Sequence, residues 1–301
     1  MTGAGTFPNF FLIGAPKSGT TSLYEYLCQH PDVFMSPVKE PNFFSWGMGG
    51  IPEHLTPRRL VIREPGEYQC LFAGVTDETA IGEASSSYLR VPGTAARIRR
   101  HVPDARLVAV LRDPIERAYS SFLMRRRLGT EPLTEFDEAV DGEQGEKSEN
   151  CHYLGQGRYC QQLLRYLEHF PRRQLQVHLY DDLQADAAAL VAEVFRFLGV
   201  DDRFRAKTSR RYNRAGTYRS PRVQAFLDEL PRPIQSAGAA LLSVDARRHL
   251  YWRLRAWNTE AASPMPSGTR RRLLPLVRDE ILALQELIGR DLSAWLVAED
   301  R

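Results

Sequence analysis

The sequence predicts an α/β fold, a single P-loop-like doubly wound parallel sheet flanked by helices. Short apolar runs of strand length alternate along the chain with stretches whose apolar residues recur at helical spacing. The clearest run, Arg106–Leu111 (RLVAVL), has the continuous apolar character of a strand that is buried on both faces. The chain has 301 residues, 43% of them hydrophobic, which is enough for a large core without stabilising disulfides.

The elements follow in order along the chain. Strands are expected at residues 10–13, 32–35, 80–83, 106–111 and 174–180, and helices at 20–29, 114–128, 183–198 and 269–295. Asp113 and Pro114 are a typical N-cap and first helical residue, and Gly129 a typical stop. The last helix is predicted to be interrupted at Pro275.

We predict one domain over 1–301, with a mobile acidic loop at about 131–150 and a basic loop at about 203–222. The net charge of +3 is too small to indicate a nucleic-acid partner. No apolar run is long enough for a signal peptide or a membrane span, so a cytoplasmic location is expected. The cysteines form no CxxC pair, and whether Cys151 and Cys160 pair is open.

The strongest chemical signal is the segment Gly14–Thr21 (GAPKSGTT), which lies between a predicted strand and a predicted helix. Such a turn directs backbone N–H groups and the positive end of a helix toward one point, where a phosphate fits. A Walker A loop carries its lysine directly after the second glycine, where this chain has Thr20. Lys17 lies inside the loop instead, and no apolar strand ends in an acid suited to magnesium.

A second anchor is predicted at Arg112, with Ser120 eight residues later. Arg112 ends a predicted strand, and ligands of doubly wound sheets bind at the carboxyl ends of the strands. A guanidinium and a hydroxyl that converge there can hold a second phosphate. Taken alone, this pair is a weak signal, because an arginine at a strand end is more often part of a surface ion pair.

These motifs resemble those of the sulfotransferases that use 3′-phosphoadenosine 5′-phosphosulfate (PAPS). The resemblance rests on PKSGTT at 16–21 and RDPIERAYSSF at 112–122. The segments KEPNFF (39–44), GEASSSY (82–88), 157–183 and 289–295 extend it to the heparan-sulfate-sulfotransferase-like (KEPxFF) bacterial branch. The resemblance implies PAPS as donor and 3′-phosphoadenosine 5′-phosphate (PAP) as product. It assigns Lys17, Ser18, Gly19, Thr20 and Thr21 to the 5′-phosphosulfate, and Arg112 and Ser120 to the 3′-phosphate. No metal is expected, because Lys17 and the helix N-terminus can supply the positive field.

Lys17 is the predicted cation for the charge that develops on the bridging oxygen of the donor. Glu40 is the predicted general base, a role that the KEPxFF resemblance also implies. The alternative for Glu40 is a simple pairing with Lys39, and Glu83 is the reserve base. Arg214 and Arg219, in the basic loop, are candidate phosphate contacts.

The predicted function is sulfuryl transfer from PAPS to a hydroxyl of a small-molecule or carbohydrate-like acceptor. Two alternatives are a P-loop nucleotide kinase and a nucleotide-binding scaffold without catalysis. Phe43, Phe44 and Trp46 form either part of the core or a stacking surface for a ring, and the core is favoured. The identity of the acceptor and the oligomeric state are open.

Overall fold

Parallel strands form the central sheet of the computed structural model, which describes residues 6–46, 62–144, 153–210, 212, 216–228 and 244–299. The strands are β1 (Phe10–Gly14), β2 (Val33–Met35), β3 (Ala80–Ala84), β4 (Arg106–Leu111) and β5 (Leu175–Leu179). They lie in the order β2-β3-β1-β4-β5, and all neighbouring pairs are parallel.

Strand β1 lies at the centre, with Phe10 beside Gly82 of β3 and Arg106 of β4. The chain builds β2 and β3 on one side of β1 and then crosses to build β4 and β5 on the other. Such a change of direction opens a crevice at the carboxyl ends of the central strands. The segments that follow β1 and β4, which carry Lys17 and Arg112, therefore meet at this edge of the sheet.

Helices cover both faces of the sheet, so the doubly wound prediction is confirmed. They are α1 (Thr20–Leu27), α2 (Pro65–Cys70), α3 (Thr94–His101), α4 (Pro114–Arg127), α5 (Phe136–Gln144), α6 (Tyr159–Leu167), α7 (Tyr180–Ala185), α8 (Ala187–Leu198), α9 (Pro221–Asp228), α10 (Val244–Trp257) and α11 (Thr269–Ile288). Alternate residues of β1 enter two cores: Phe11 and Ile13 pack with α4, α6 and α11, and Phe10 and Leu12 pack with α1 and α8. A separate antiparallel pair joins β6 (Gly216–Tyr218) to β7 (Thr259–Ala261).

The start of α4 is fixed by Asp113, as predicted. Its Oδ1 accepts hydrogen bonds from the backbone N–H groups of Ile115 (2.9 Å) and Glu116 (3.2 Å). Its Oδ2 lies 2.6 Å from Nη2 of Arg270, and both side chains are at most 2% exposed. Arg270 also donates to the carbonyl of Trp295 at 2.7 Å. This buried pair joins α4, which carries Ser120, to α11 and the C-terminal segment.

Two helix predictions need correction. The helix expected over 183–198 is divided into α7 and α8 at Asp186, whose side chain caps α8 by accepting from the N–H of Ala189 at 2.9 Å. Pro275 does not interrupt α11, because the buried residues Leu274 and Val277 hold the helix on both sides of it.

Both predicted loops contain regular structure. In the acidic segment 131–150, residues 136–144 form α5, because Phe136, Ala139 and Val140 are buried at helical spacing. Residues 145–150 lie outside the described residues. The basic segment 203–222 includes β6 and the beginning of α9.

Three of the four cysteines lie in the described part of the chain. Cys28, Cys70 and Cys160 carry free thiols, and Cys151 lies outside the described residues, so its predicted alternatives remain open. Over the described parts of the chain, no helix has both the length and the apolar character that a membrane crossing requires.

Candidate active site

The loop after β1 turns sharply at two residues with left-handed backbone, Lys17 (φ 68°) and Gly19 (φ 85°). Glycine is favoured at position 19 by this backbone conformation, and a Cβ there would also lie 2.6 Å from Cδ2 of Leu183. The N–H of Leu23 donates to the carbonyl of Gly19 at 3.1 Å, which begins the hydrogen-bond ladder of α1. The amides of residues 20–22 precede that ladder, so they form an N-terminal end suited to an anion.

Ser18 occupies a different position from the rest of the predicted loop site. Its side chain is fully buried, and its backbone N–H donates to the carbonyl of Ala15 at 3.3 Å. Lys17, Gly19, Thr20 and Thr21 line the cavity above it, while Ser18 does not. The turn therefore places the Ser18 side chain under the loop and away from the cavity lining, and the role of this residue in binding the nucleotide stays a prediction.

The guanidinium of Arg112 faces the same loop. Its Nη1 donates to the carbonyl of Lys17 at 3.4 Å, and its Cζ lies 4.9 Å from the centre of the Tyr180 ring. Its Nη2 lies 3.3 Å from Oε2 of Glu116, so the ion-pair alternative is realised in the structure. Ser120, which is 5% exposed, lines the same cavity as Arg112. The two predicted phosphate anchors thus meet in one place.

Glu40 is held in a defined orientation at the edge of this cavity. It has a left-handed backbone (φ 63°), and its N–H donates to the carbonyl of Ala84 at 2.8 Å. Ser86 contacts both carboxylate oxygens: its N–H donates to Oε2 at 3.0 Å and its hydroxyl to Oε1 at 2.8 Å. Nζ of Lys39 lies 2.7 Å from Oε1. The predicted pairing with Lys39 is real, and it occurs at a carboxylate that also faces the cavity.

Sequence reasoning missed the contribution of Ser86. The signal was its place in the GEASSSY segment, directly after β3. Because β2 and β3 are paired from Val33–Ala80 to Met35–Gly82, the chain segments beyond them run side by side. This continued pairing brings Ser86 to Glu40.

Glu83, the reserve base, is fully buried and does not line the cavity. Its Oε2 accepts hydrogen bonds from the hydroxyls of Tyr68 (3.0 Å) and Tyr88 (3.2 Å). Burial raises the pKa of Glu83 to about 8, so the carboxyl holds its proton at neutral pH. The Tyr88 hydroxyl also accepts from the N–H of Phe44 at 3.1 Å. Glu83 therefore supports the segment that follows Glu40 through Tyr88, and it does not reach an acceptor in the cavity.

The aromatic residues after Glu40 belong to the core, as favoured from the sequence. Phe43 and Phe44 are 3% and 0% exposed, and Phe43 stacks on Tyr68 with ring centres 4.3 Å apart. Trp46 is only partly buried, and Cζ of Arg63 lies 4.0 Å from its ring centre.

One cavity of about 510 Å³ joins the predicted residues. Its lining comprises Pro16, Lys17, Gly19, Thr20, Thr21, Ser22, Tyr26, Lys39, Glu40, Ser86, Arg112, Ser120, Met124, Tyr180, Leu183, Gln184 and Tyr212. Nζ of Lys17 lies 3.6 Å from Sδ of Met124. Among the described residues, no three His, Cys, Asp or Glu side chains cluster in a way that could hold a metal ion.

The basic loop contributes less than expected where it is described. Tyr212 lines the cavity. Arg219 is 53% exposed and lies 3.7 Å from Glu260. Arg214 lies outside the described residues.

The fold, the phosphate loop and the second cationic anchor define a nucleotide-binding group-transfer enzyme. The model of the sulfotransferase family matches residues 8–204, and the chain belongs to that family. The chain is similar to the crystal structure of a sulfotransferase from Alicyclobacillus acidocaldarius, with 31% sequence identity and a TM-score of 0.70. The superposition covers 96% of this chain and 99% of the Alicyclobacillus chain. The prediction of a PAPS-dependent sulfotransferase is thereby confirmed at the level of the family.

Curated relatives are similar to about two thirds of the chain. A bifunctional heparan sulfate N-deacetylase/N-sulfotransferase 1 of Caenorhabditis briggsae is 27% identical over 212 residues, which are 65% of this chain and 23% of the relative. Carbohydrate sulfotransferase 15 of Homo sapiens is 28% identical over 247 residues, covering 64% of this chain and 44% of the relative. The chain thus spans less than half the length of these relatives. The family match is to sulfotransferases, which sets the nucleotide-kinase alternative aside.

Proposed function

We propose that this enzyme transfers the sulfuryl group of PAPS to a hydroxyl of a carbohydrate-like or small-molecule acceptor. The observation that carries the proposal is the shared cavity, in which two separate cationic anchors and one oriented carboxylate face each other. A nucleotide with phosphates at its 5′ and 3′ positions needs two such anchors. Transfer to a hydroxyl also needs a base that removes the proton of the hydroxyl.

The residues present fit the donor. Lys17, Thr20 and Thr21 line the cavity at the N-terminus of α1, where an anion is favoured by backbone amides and the helix dipole. Arg112 and Ser120 line the cavity from β4 and α4. We assign the 5′-phosphosulfate to the first set and the 3′-phosphate to the second. Ser18 lies below the first set and supports the turn.

PAPS supplies the sulfuryl group, whose bond to a 5′-phosphate oxygen breaks as a bond to the acceptor oxygen forms. Glu40 takes the proton of the acceptor hydroxyl. Ser86 directs the carboxylate toward the cavity through bonds of 3.0 and 2.8 Å, so that little reorganisation is needed. Lys17 balances the negative charge that develops on the departing phosphate oxygen.

Two features support a carbohydrate-like acceptor. Two of the relatives are named for heparan sulfate and carbohydrate sulfotransfer. The carboxylate of Glu40 is 18% exposed, so it is open to an acceptor from the cavity side. Assistance by a general base such as Glu40 matters more for an alcohol such as a sugar hydroxyl, whose proton is much less acidic than that of a phenol.

The test measures transfer and nucleotide binding separately. Wild type is incubated with PAPS and a panel of sugars, alcohols and phenols, and mass spectrometry detects products heavier by one SO₃ unit. Glu40→Gln should bind PAP about as well as wild type, yet transfer at least about 100 times more slowly to an alcohol. Lys17→Ala should also lose about 100-fold in transfer, with some loss of PAP affinity.

A matched control is Glu168→Gln, which removes the same charge from an exposed residue outside the cavity. It should leave both quantities unchanged. The assignment of the base is contradicted if Glu40→Gln stays fast on alcohols, or if it fails because PAP no longer binds. Absence of any sulfated product across the panel would favour the scaffold without catalysis.

A further inference from the structure

The guanidinium of Arg112 is held by three groups, and one of them is an anion. The carbonyl of Lys17 accepts from Nη1 at 3.4 Å, and the ring of Tyr180 lies 4.9 Å from Cζ. The third group is the carboxylate of Glu116, whose Oε2 lies 3.3 Å from Nη2. The side chains of Arg112 and Glu116 are 19% and 24% exposed, so solvent screens this pair only in part.

Glu116 lies on the face of α4 that also carries Ser120. The two residues are four apart on one helix, a spacing that places Cβ atoms about 5–6 Å from each other. A phosphate that contacts both Arg112 and the Ser120 hydroxyl therefore comes close to the Glu116 carboxylate. The phosphate and the carboxylate are both anionic, and both require N–H groups of the same guanidinium.

We propose that Glu116 is a built-in competitor for Arg112, which weakens the hold of the enzyme on a 3′-phosphate and speeds the departure of PAP. The proposal rests on the assignment of Arg112 and Ser120 to the 3′-phosphate under the proposed function. Glu116 thus lowers the affinity for nucleotides that carry a 3′-phosphate and leaves the affinity for those that lack it unchanged.

An opposite role, in which Glu116 orients Arg112 for the phosphate, is opposed by the other two contacts. The Lys17 carbonyl and the Tyr180 ring belong to different segments, the loop after β1 and the start of α7, and both hold the guanidinium without Glu116. Glutamine at position 116 keeps an oxygen that can accept from Arg112. Glu116→Gln therefore removes the negative charge and leaves the guanidinium oriented.

The experiment compares PAP with adenosine 5′-phosphate, which lacks the 3′-phosphate. Titration calorimetry gives the affinity of both nucleotides for wild type, Glu116→Gln, Glu116→Ala and the charge-matched control Glu168→Gln, and stopped-flow displacement gives the dissociation rate of PAP. Both Glu116 variants should bind PAP about tenfold more tightly, mainly through slower dissociation. Their affinity for adenosine 5′-phosphate, and all values for Glu168→Gln, should stay within about twofold of wild type.

The outcomes separate this proposal from the proposed function. If wild type prefers PAP to adenosine 5′-phosphate, but the Glu116 variants bind PAP equally or less tightly, the competitor role is overturned and the proposed function stands. If wild type binds both nucleotides equally, the 3′-phosphate assignment fails, and the competitor role fails with it.

Discussion

Replacing Asp113 by alanine tests how the site is anchored to the rest of the fold. Asp113 serves two buried groups at once: one oxygen caps α4 at 2.9 and 3.2 Å, and the other pairs with Arg270 at 2.6 Å. Alanine removes the cap and leaves the Arg270 charge without its carboxylate, in a position where that side chain is 1% exposed.

The expected magnitude follows from these two losses. A lost N-cap costs about 1 kcal/mol. Removing one partner of a buried ion pair costs about 3–5 kcal/mol, because the remaining charge stays desolvated. The free energy of unfolding should therefore fall by about 4–6 kcal/mol, a large part of the about 5–15 kcal/mol that folded domains have in total.

Urea unfolding followed by circular dichroism measures this change. Arg196→Ala is the control, because its ion pair with Asp202 is exposed (68% and 31%) and should be worth at most about 1 kcal/mol. The double variant Asp113→Ala, Arg270→Met should recover part of the loss, since no orphan charge remains. A loss below about 2 kcal/mol for Asp113→Ala, or no recovery in the double variant, would refute the reasoning.

Two further predictions concern the residues around the loop and the base. Gly19→Ala should lower the free energy of unfolding by about 2–4 kcal/mol, because the new Cβ meets Leu183 at 2.6 Å in addition to the backbone strain. The control Gly129→Ala has similar backbone strain (φ 69°) but open space around the Cβ, and should cost about 1–2 kcal/mol. Equal losses in chemical denaturation would contradict the packing argument. Because the pKa of Glu83 rises from 4.5 to about 8 on burial, the folded state binds more protons between these values, so this residue makes wild type less stable as pH rises through that window. We expect the difference in unfolding free energy, Glu83→Gln minus wild type, to increase from pH 5 to pH 8. Taking the difference cancels the contribution of His178, whose pKa burial lowers to about 4. Parallel plots of unfolding free energy against pH for the two proteins would show that Glu83 ionises normally.

The strands and the phosphate loop could be predicted because their signals are local. The apolar run Arg106–Leu111, the cap at Asp113 and the glycines around Lys17 each report their own conformation through composition and spacing. Asp186 carried a local signal too, as a capping residue, but the apolar periodicity on both sides of it favoured one continuous helix.

The remaining features depend on tertiary contacts between distant segments. Ser86 lies 46 positions from Glu40 and orients it only because β2 and β3 pair in a particular register. Ser18 sits in the right motif, yet the left-handed turns on either side of it direct its side chain under the loop. The buried state of Glu83 likewise depends on the hydrogen bond from Tyr68, 15 residues earlier in the chain. No sequence pattern indicates that Tyr68 packs against β3.

The strand order arranges the parts of the site along one edge of the sheet. Arg112 follows β4, Lys17 follows the neighbouring β1, and Ser86 follows β3, the next strand along. Glu40 follows β2, the strand beyond β3, and its N–H extends the pairing of the two strands by bonding to the carbonyl of Ala84 at 2.8 Å.

Under the proposed function, this order gives the reaction a direction. The 3′-phosphate lies over β4, the 5′-phosphosulfate over β1, and the base over β3 and β2, so the sulfuryl group leaves the nucleotide toward the β2 edge. The acceptor must then approach from that edge, beside Lys39 and Glu40, while the nucleotide occupies the side of Arg112 and Tyr180. Substitutions near β2 should therefore change the choice of acceptor, whereas those near β4 should change the binding of the nucleotide, because the two ligands contact opposite sides of Lys17.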